Sequence, residues 1–238
     1  MLRPLTLALT LAALPLAPTG ATAAQSETEL RFAVELRGLR AGTLRIRATE
    51  TASAYAAAAR IETTGLARML RPVRFDADVQ GRRTGASRQP LAYSERVETP
   101  RRDSRTELAW SGRTPRVLSS EPARDPQPWD IDPATQTGTL DPLSVLLEVL
   151  SDVPADRACR LDLDLYDGRR RGRVTLTPNG AGGCTGAFHR IAGYPEEAMA
   201  EATRFPFALT YAEAGNGTLR VTRVEAETPY GTARLTRD

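Results

Sequence analysis

The 238-residue sequence contains no lysine, a single histidine (His189) and only two cysteines, Cys159 and Cys184. Without lysine, the basic residues are 32 arginines, and 29 aspartates and glutamates nearly balance them. The arginines alternate with acids instead of forming one basic face, so the formal charge of +3 does not favour a nucleic-acid partner. Codon usage in a GC-rich genome is a sufficient explanation for the missing lysine.

The scarcity of histidine and cysteine narrows the chemistry that the chain can perform. The sequence has no Gly-x-Ser-x-Gly motif, and His189 lies in a predicted strand, so a nucleophilic triad is not favoured. Asp162 and Asp164 share one face of a predicted strand and offer oxygen ligands for a hard cation such as calcium. The arginines at 169–171 favour surface ion pairs for them instead. We therefore predict no enzymatic activity, no metal and no cofactor.

The first 23 residues resemble a secretory signal peptide. Arg3 precedes an apolar run over residues 5–16, and Ala21-Thr22-Ala23 has the small side chains of a cleavage site. The run is shorter than the roughly 20 apolar residues of a membrane span. No cysteine stands at the cleavage point, so we expect neither a lipid anchor nor a transmembrane anchor after cleavage. The expected location of the mature protein is the periplasm.

Export changes the interpretation of the two cysteines. An even pair in an exported chain predicts a disulfide between Cys159 and Cys184. Such a bond would stabilise the fold by about 3.5 kcal/mol through restriction of the unfolded chain. Two free thiols, or half of a metal site, are the alternatives, but one histidine supplies too few further soft ligands for zinc.

Alternation of apolar and polar residues dominates residues 24–238. In the first hairpin, Leu30, Phe32, Val34 and Leu36 alternate with charged or small residues, and the chain turns over residues 38–42. Further strands are predicted at 43–49, 57–64, 73–80, 91–98, 105–110, 115–119, 161–165, 172–178, 187–192, 205–211, 218–225 and 231–237. The pattern predicts a single all-β domain, built as a strongly curved antiparallel sheet or a partly open β-barrel.

One helix and one long loop interrupt the strands. Asp141 is a candidate N-cap with Pro142 at the first helical position, and leucines at 143, 146, 147 and 150 form one apolar stripe. This short helix is expected to plug or flank the sheet, and residues 65–70 fit one further helical turn. The Pro-rich loop at 121–140 contains Trp129, which either pins the loop to the body or belongs to a lid over a ligand.

Several short motifs, taken in order, resemble the exported proteobacterial family DUF3108. They are a small-glycine turn at Gly42 followed by strands and Gly65-Leu66, then Pro90-Leu91-Ala92-Tyr93 after a turn at Gly81, and Asp141-Pro142-Leu143-Ser144 at the helix start. Tyr166-Asp167-Gly168-Arg169-Arg170-Arg171 then lies between the cysteines, with Ile191-Ala192-Gly193 after the second. The resemblance implies an envelope protein similar in shape to periplasmic lipoprotein carriers. It implies no reaction and no catalytic residues.

These observations lead to a functional expectation. We expect a non-enzymatic periplasmic protein for binding or envelope maintenance, whose concave apolar sheet holds a lipid or a peptide. The candidate inner-face positions are Phe32, Val34, Leu44, Ile46, Phe75 and Val79. The partner is then a lipid or an envelope protein. A scaffold protein with a packed core is the main alternative, and an enzyme acting on envelope glycans or peptides is the other.

Overall fold

The computed structural model describes residues 25–228 and 231–238, and this part of the chain forms fourteen strands, three α-helices and a short 3-10 helix at Pro133–Thr135. The strands are β1 Ser26–Leu36, β2 Leu39–Glu50, β3 Ala54–Thr63, β4 Arg74–Thr84, β5 Ser87–Thr99, β6 Arg102–Ser111, β7 Thr114–Glu121, β8 Val153–Pro154, β9 Leu161–Tyr166, β10 Arg171–Pro178, β11 Gly183–Ala192, β12 Arg204–Gly215, β13 Thr218–Thr228 and β14 Gly231–Arg237. The helices are α1 Gly65–Leu70, α2 Pro142–Leu150 and α3 Glu196–Glu201. The predicted signal peptide lies outside the described residues.

All the main strands belong to one antiparallel sheet that curls into a nearly closed barrel. The strand order is β7-β6-β5-β4-β3-β2-β1-β14-β13-β12-β11-β10-β9, so the first and last strands of the chain pair at its centre. Each strand presents one apolar face to the interior, as the alternating sequence predicts. The predicted all-β, barrel-like fold is therefore confirmed.

The two edges, β7 and β9, are not paired with each other, and residues 138–140 lie in the seam between them. Leu140 forms a parallel bridge to β9: its N–H donates to Asp164 O, and its carbonyl accepts from Tyr166 N, both at 2.9 Å. Gly138 N donates to Arg113 O, at the turn between β6 and β7, over 2.9 Å. The end of the Pro-rich loop therefore covers both sheet edges, which would otherwise expose backbone donors and acceptors.

The barrel has two different ends, which we name after their helices. The α1 end holds the turns after β1, β3, β5 and β9, and α1 is part of the connection from β3 to β4. The α2 end holds the turns after β2, β4, β6, β10 and β12. Tyr55 at the start of β3 contacts Ser144 of α2 through their hydroxyl oxygens (2.7 Å), and β8, just after α2, pairs with the start of β13.

Helix α2 closes its end of the barrel, as the apolar stripe predicted. The Asp141 carboxylate accepts a hydrogen bond from Ser144 N at 2.9 Å, so the predicted N-cap is present. Leu143, Leu147 and Leu150 are 1–2% exposed. The helix packs on β3, β4 and β9, and its side chains join the wall residues in one hydrophobic core. The plug makes the barrel a filled structure at this end.

Three details differ from the sequence prediction. The first hairpin turns at residues 37–38 and β2 begins at Leu39, whereas the sequence placed the turn over residues 38–42. Residues 81–84 continue β4, so the turn lies at residues 85–86 and not at Gly81, where the aromatic ring of Tyr55 occupies the space that a Cβ would need. Helix α3 was not predicted because its short polar sequence has no apolar stripe. The acidic residues Glu196 and Glu197 directly after Pro195 were the available signal for a helix start.

Candidate functional site

A cavity of about 340 Å³ opens beside α2, between the helix, the segment that follows it and the barrel wall. We call it the α2 groove. The volume falls at the lower end of the usual range for small-molecule sites. Its lining residues are Thr28, Ala48, Glu50, Arg83, Ala86, Arg88, Leu147, Glu148, Ser151, Asp152, Val153, Pro154, Arg157, Ala158, Cys159, Arg160, Leu161, Leu176 and Tyr211.

The inner part of the α2 groove is apolar. Leu147 and Leu176 are 1% and 5% exposed and belong to the hydrophobic core, while Leu161 and Tyr211 are partly exposed above them. The Cys159–Cys184 disulfide fixes the segment after α2 to β11, which confirms the predicted pairing. A rigid apolar floor of this kind suits a hydrocarbon chain or an apolar side chain.

A buried ion-pair network forms one side of the groove. Arg88 on β5, whose side chain is 10% exposed, donates to Glu50 on β2 and to Glu148 on α2, the latter at 2.6 Å. Arg83 reaches the other Glu50 oxygen at 3.2 Å. Burial lowers the pKa of Arg88, but Glu148 and Glu50 outweigh it and hold this pKa above its ordinary value. Arg88 therefore links the helix to two strands as a permanent cation.

The remaining acid of the lining is also neutralised. Asp152, just after α2, accepts from Arg237 at 2.6 Å and from Arg220 at 3.0 Å. The groove lining itself carries Arg83, Arg88, Arg157 and Arg160 against Glu50, Glu148 and Asp152. Since two arginines outside the lining already compensate Asp152, the groove has an excess of positive charge.

That excess lies at the mouth of the groove. Arg157 and Arg160 are exposed, and within the described residues neither has a carboxylate within salt-bridge distance. Asp156 is adjacent in sequence but does not line the groove. The arrangement of an apolar floor below two uncompensated guanidinium groups can bind the acidic head of an amphiphile.

A chain of buried hydroxyls lies behind the groove at the start of α2. Ser144 donates its hydroxyl to the Asp141 carboxylate, and the same oxygen contacts the Tyr55 hydroxyl at 2.7 Å. Burial raises the pKa of Asp141 to about 6 and also raises the pKa of Tyr55. Asp141 and Ser144 are both 0% exposed, so this network anchors the helix and cannot meet a substrate.

His189 and the aspartate pair lie away from the groove. His189 is on β11, where its Nε2 lies 3.3 Å from the hydroxyl of Thr175. Asp164 pairs with Arg171 and, at 2.6 Å, with Arg173. Although partial burial acts in the opposite direction, these arginines lower the pKa of Asp164. Within the described residues, no group of three or more metal-ligating side chains is found. The two aspartates are the salt-bridged surface acids that the sequence favoured.

The six candidate inner-face residues lie on the barrel wall. Phe32, Leu44, Ile46 and Val79 are at most 4% exposed, and Val34 and Phe75 pack against the same core. None of the six lines the α2 groove. Their contact with a ligand stays a prediction.

The Pro-rich loop follows β7 at the α1 end and returns along the seam. Asp130 accepts from Gln127 N at 2.8 Å and pairs with Arg124, so the loop carries its own contacts, and Trp129 is 37% exposed. The buried Thr139 accepts from the indole of Trp110 at 3.1 Å. No residue of this loop lines the α2 groove, so a lid role for Trp129 there is not supported.

The sequence did not identify the groove because its charged partners are far apart in the chain. Arg88 is 38 residues from Glu50 and 60 from Glu148, and no local motif marks such pairs. The available signal was Cys159, whose predicted disulfide already placed the segment after α2 next to β11.

Comparison with known proteins agrees with the sequence resemblance. The model of a family described as "Protein of unknown function (DUF3108)" matches residues 31–181. A solved beta-barrel-like protein of domain of unknown function DUF1849 from Brucella abortus is 12% identical, with a TM-score of 0.49, over 88% of this chain and 94% of that one. No curated protein sequence matches the chain significantly. None of the helices within the described residues is long and apolar enough to cross a membrane. Since the family match covers 151 of the 238 residues, this chain belongs to the DUF3108 family.

Proposed function

We propose that this protein is a non-enzymatic binding protein of the periplasm whose α2 groove holds a single-chain amphiphile with an acidic head group. The observation that carries the proposal is the pairing of an apolar floor with an uncompensated basic mouth. Leu147, Leu161 and Leu176 would contact the hydrocarbon chain, and Arg157 with Arg160 would bind the head group.

Two features of the barrel support a role in binding a ligand without an enzymatic reaction. The buried acid Asp141 is closed off from solvent, and Arg88 at the groove is paired with both Glu50 and Glu148. The disulfide and the Arg88 network make the groove rigid before any ligand arrives. Binding to a preformed site of this kind loses little conformational entropy.

The direct test is calorimetric titration of delipidated protein with three compounds. Laurate has both the chain and the acid, dodecanol has the chain alone, and acetate has the acid alone. We expect saturable binding of laurate, weaker binding of dodecanol and no measurable binding of acetate. Failure of laurate to bind saturably would refute the proposal.

Reversing the charge of Arg157 and Arg160 tests whether these two side chains bind the head group. Arg157→Glu with Arg160→Glu should weaken laurate binding roughly tenfold, because each exposed charge interaction is worth about 0.2–1 kcal/mol and reversal replaces attraction by repulsion. Arg116→Glu is the matched control, since Arg116 is exposed on β7 and does not line the groove. Equal loss in the control would show a non-specific charge effect and contradict the site.

A scaffold role is the second candidate, and the filled interior favours it. The candidate inner-face residues are covered by the core, as a scaffold with a packed core requires. Recovery of a defined envelope protein in a pull-down, together with no saturable binding of laurate, would select this alternative.

A further inference from the structure

The most exposed apolar side chains of the described chain gather at one place on the α1 end. Leu66, Met69 and Leu70 of α1 are 77%, 82% and 86% exposed, and α1 contributes no residue to the core. Apart from Leu39, the other exposed large hydrophobic residues of the described chain are less exposed, at 37–53%; they are Leu118, Trp129 and Ile191. A single exposed leucine needs no explanation, but three on one helix of six residues mark an interaction surface.

A fourth side chain extends this surface. Leu39, at the start of β2, is 74% exposed. The N–H of Thr64 donates to Ala41 O at 3.1 Å, which places the start of β2 beside the start of α1. We call Leu39, Leu66, Met69 and Leu70 the apolar tip.

Hydrogen bonds at its base, not packing, hold α1 in place. The hydroxyl of Thr63 accepts from Val73 N at 3.0 Å and donates to Arg71 O at 3.2 Å, closing the connection below the helix. The backbone N–H of Thr63 also donates to Val73 O at 3.0 Å. These hydrogen bonds therefore fix the base of the connection, while the side chains of Leu66, Met69 and Leu70 are exposed to solvent.

The two segments that carry the apolar tip hold charged residues of one sign, although Glu62 and Glu98 of the neighbouring strands line a cavity together with Arg68. Residues 37–41 and 64–73 contain four arginines (37, 40, 68 and 71) and no acid, although the whole chain has nearly equal numbers of both. Arg40, Arg68 and Arg71 are exposed, and the described residues offer none of them a carboxylate within salt-bridge distance. Basic residues around an apolar tip complement a surface that is negatively charged outside and apolar beneath.

We infer that the apolar tip docks on an anionic phospholipid bilayer, with its side chains in the acyl boundary and its arginines at the phosphates. A second copy of this chain is a poor occupant, because the same arginines would face each other in a symmetric contact. The inference does not depend on the proposed amphiphile site, which lies at the opposite end of the barrel. When the tip is docked, the α2 groove faces away from the membrane.

The test is co-sedimentation of the exported, processed protein with vesicles. We expect binding to vesicles of phosphatidylglycerol and phosphatidylethanolamine, and about tenfold weaker binding to phosphatidylcholine vesicles, with the difference reduced at high salt. Equal binding to both vesicle types, or no binding to either, would overturn the inference.

Two sets of variants separate the apolar and basic contributions. Leu66→Ser, Met69→Ser and Leu70→Ser combined should reduce the partition onto anionic vesicles about tenfold or more, and Leu118→Ser is the matched control on the outside of β7. Arg68→Glu with Arg71→Glu should abolish the preference for anionic lipid, and Arg116→Glu should preserve it. Circular dichroism confirms that each variant is folded. Unchanged binding of the triple variant would contradict docking through the tip.

An insertion probe gives a readout independent of affinity. Met69→Trp places an indole on the apolar tip, and its emission should shift to the blue on anionic vesicles and be quenched by brominated acyl chains. An emission spectrum unchanged by vesicles would show that the tip does not enter the bilayer and would overturn the inference.

Discussion

Helices α1 and α2 have the same apolar spacing and opposite surroundings. Leu66, Met69 and Leu70 follow the i, i+3, i+4 pattern, as do Leu143, Leu146 and Leu147. Six of the nine residues of α2 are buried, and none of the six in α1. An amphipathic pattern therefore defines an apolar face, whereas the connections of the helix decide whether that face packs against the protein.

The connections explain the difference. Leu140, which precedes α2, is bonded to β9 in the seam, and Pro154, which follows it, pairs with β13, so the chain must cross the barrel between them. Helix α1 instead joins two neighbouring antiparallel strands, and its connection has no second anchor across the barrel. Asp141 caps α2 with its side chain, while Thr64 makes no such bond to α1.

The largest expected effect is on the free energy of unfolding, and one truncation in each helix measures it. Leu147→Ala should lower the free energy of unfolding by about 2–5 kcal/mol, because it leaves a cavity in the core. Leu70→Ala should change it by less than about 0.5 kcal/mol, because Leu70 is exposed. Denaturant unfolding measures both values, and similar losses would contradict the contrast between the helices.

The disulfide should also stabilise the α2 end. Replacement of both cysteines by alanine should lower the free energy of unfolding by about 3.5 kcal/mol, as expected when a cross-link between residues 25 apart is removed. The apolar tip is remote from this bond, so the folded double variant should bind anionic vesicles as the unmodified protein does. Loss of vesicle binding by the folded variant would show that the two ends are coupled.

The pH dependence of stability should distinguish the two helix starts. Burial raises the pKa of Asp141 to about 6, against about 3.9 in an unfolded chain, so the folded state binds this proton more tightly. The contribution of Asp141 to stability is therefore greatest below pH ~4 and falls by about 2–3 kcal/mol as the pH rises through ~6.

Asp141→Asn keeps an N-cap acceptor and removes this titration. As the pH rises from ~4 to ~7, the unmodified protein should lose the stability that depends on the Asp141 proton, and the variant should not. The variant should therefore become more stable relative to the unmodified protein over this range. A difference that is independent of pH would show that Asp141 does not titrate in this range. Thr64→Asn at α1 is the matched control and should introduce no such slope.

The smallest expected effect concerns the apolar tip. The combined change of Leu66, Met69 and Leu70 to serine should alter the free energy of unfolding by less than about 1 kcal/mol, because these side chains bury no surface in the protein. Thermal and denaturant unfolding provide the measurement. A large loss would mean that α1 packs on the barrel in solution.

Much of the fold could be predicted because it is encoded locally. Alternation located the strands, and Asp141 with Pro142 located the start of α2. The disulfide followed from the count of two cysteines in a chain with a predicted export signal, and the order of short motifs indicated the family. Each of these signals is a local pattern, a single count, or the order of local patterns along the chain.

The site could not be predicted because it depends on contacts between distant residues. The sequence placed the ligand on the inner sheet face, but Phe32 and Ile46 belong to the same packed core as the leucines of α2. Arg157 and Arg160 indicate an excess of positive charge in the α2 groove only when Asp152 is known to pair with Arg220 and Arg237. The sequence also could not predict that α1 is exposed, because the apolar spacing of α1 is that of a buried helix.

Hydrogen exchange, followed by mass spectrometry with and without phosphatidylglycerol vesicles, tests the contrast between the two helices most directly. Amides of α2 should exchange only through global unfolding in both conditions, while those of α1 should exchange rapidly in solution and more slowly on vesicles. Protection of α1 in solution equal to that of α2, or no change in α1 on vesicles, would contradict this contrast.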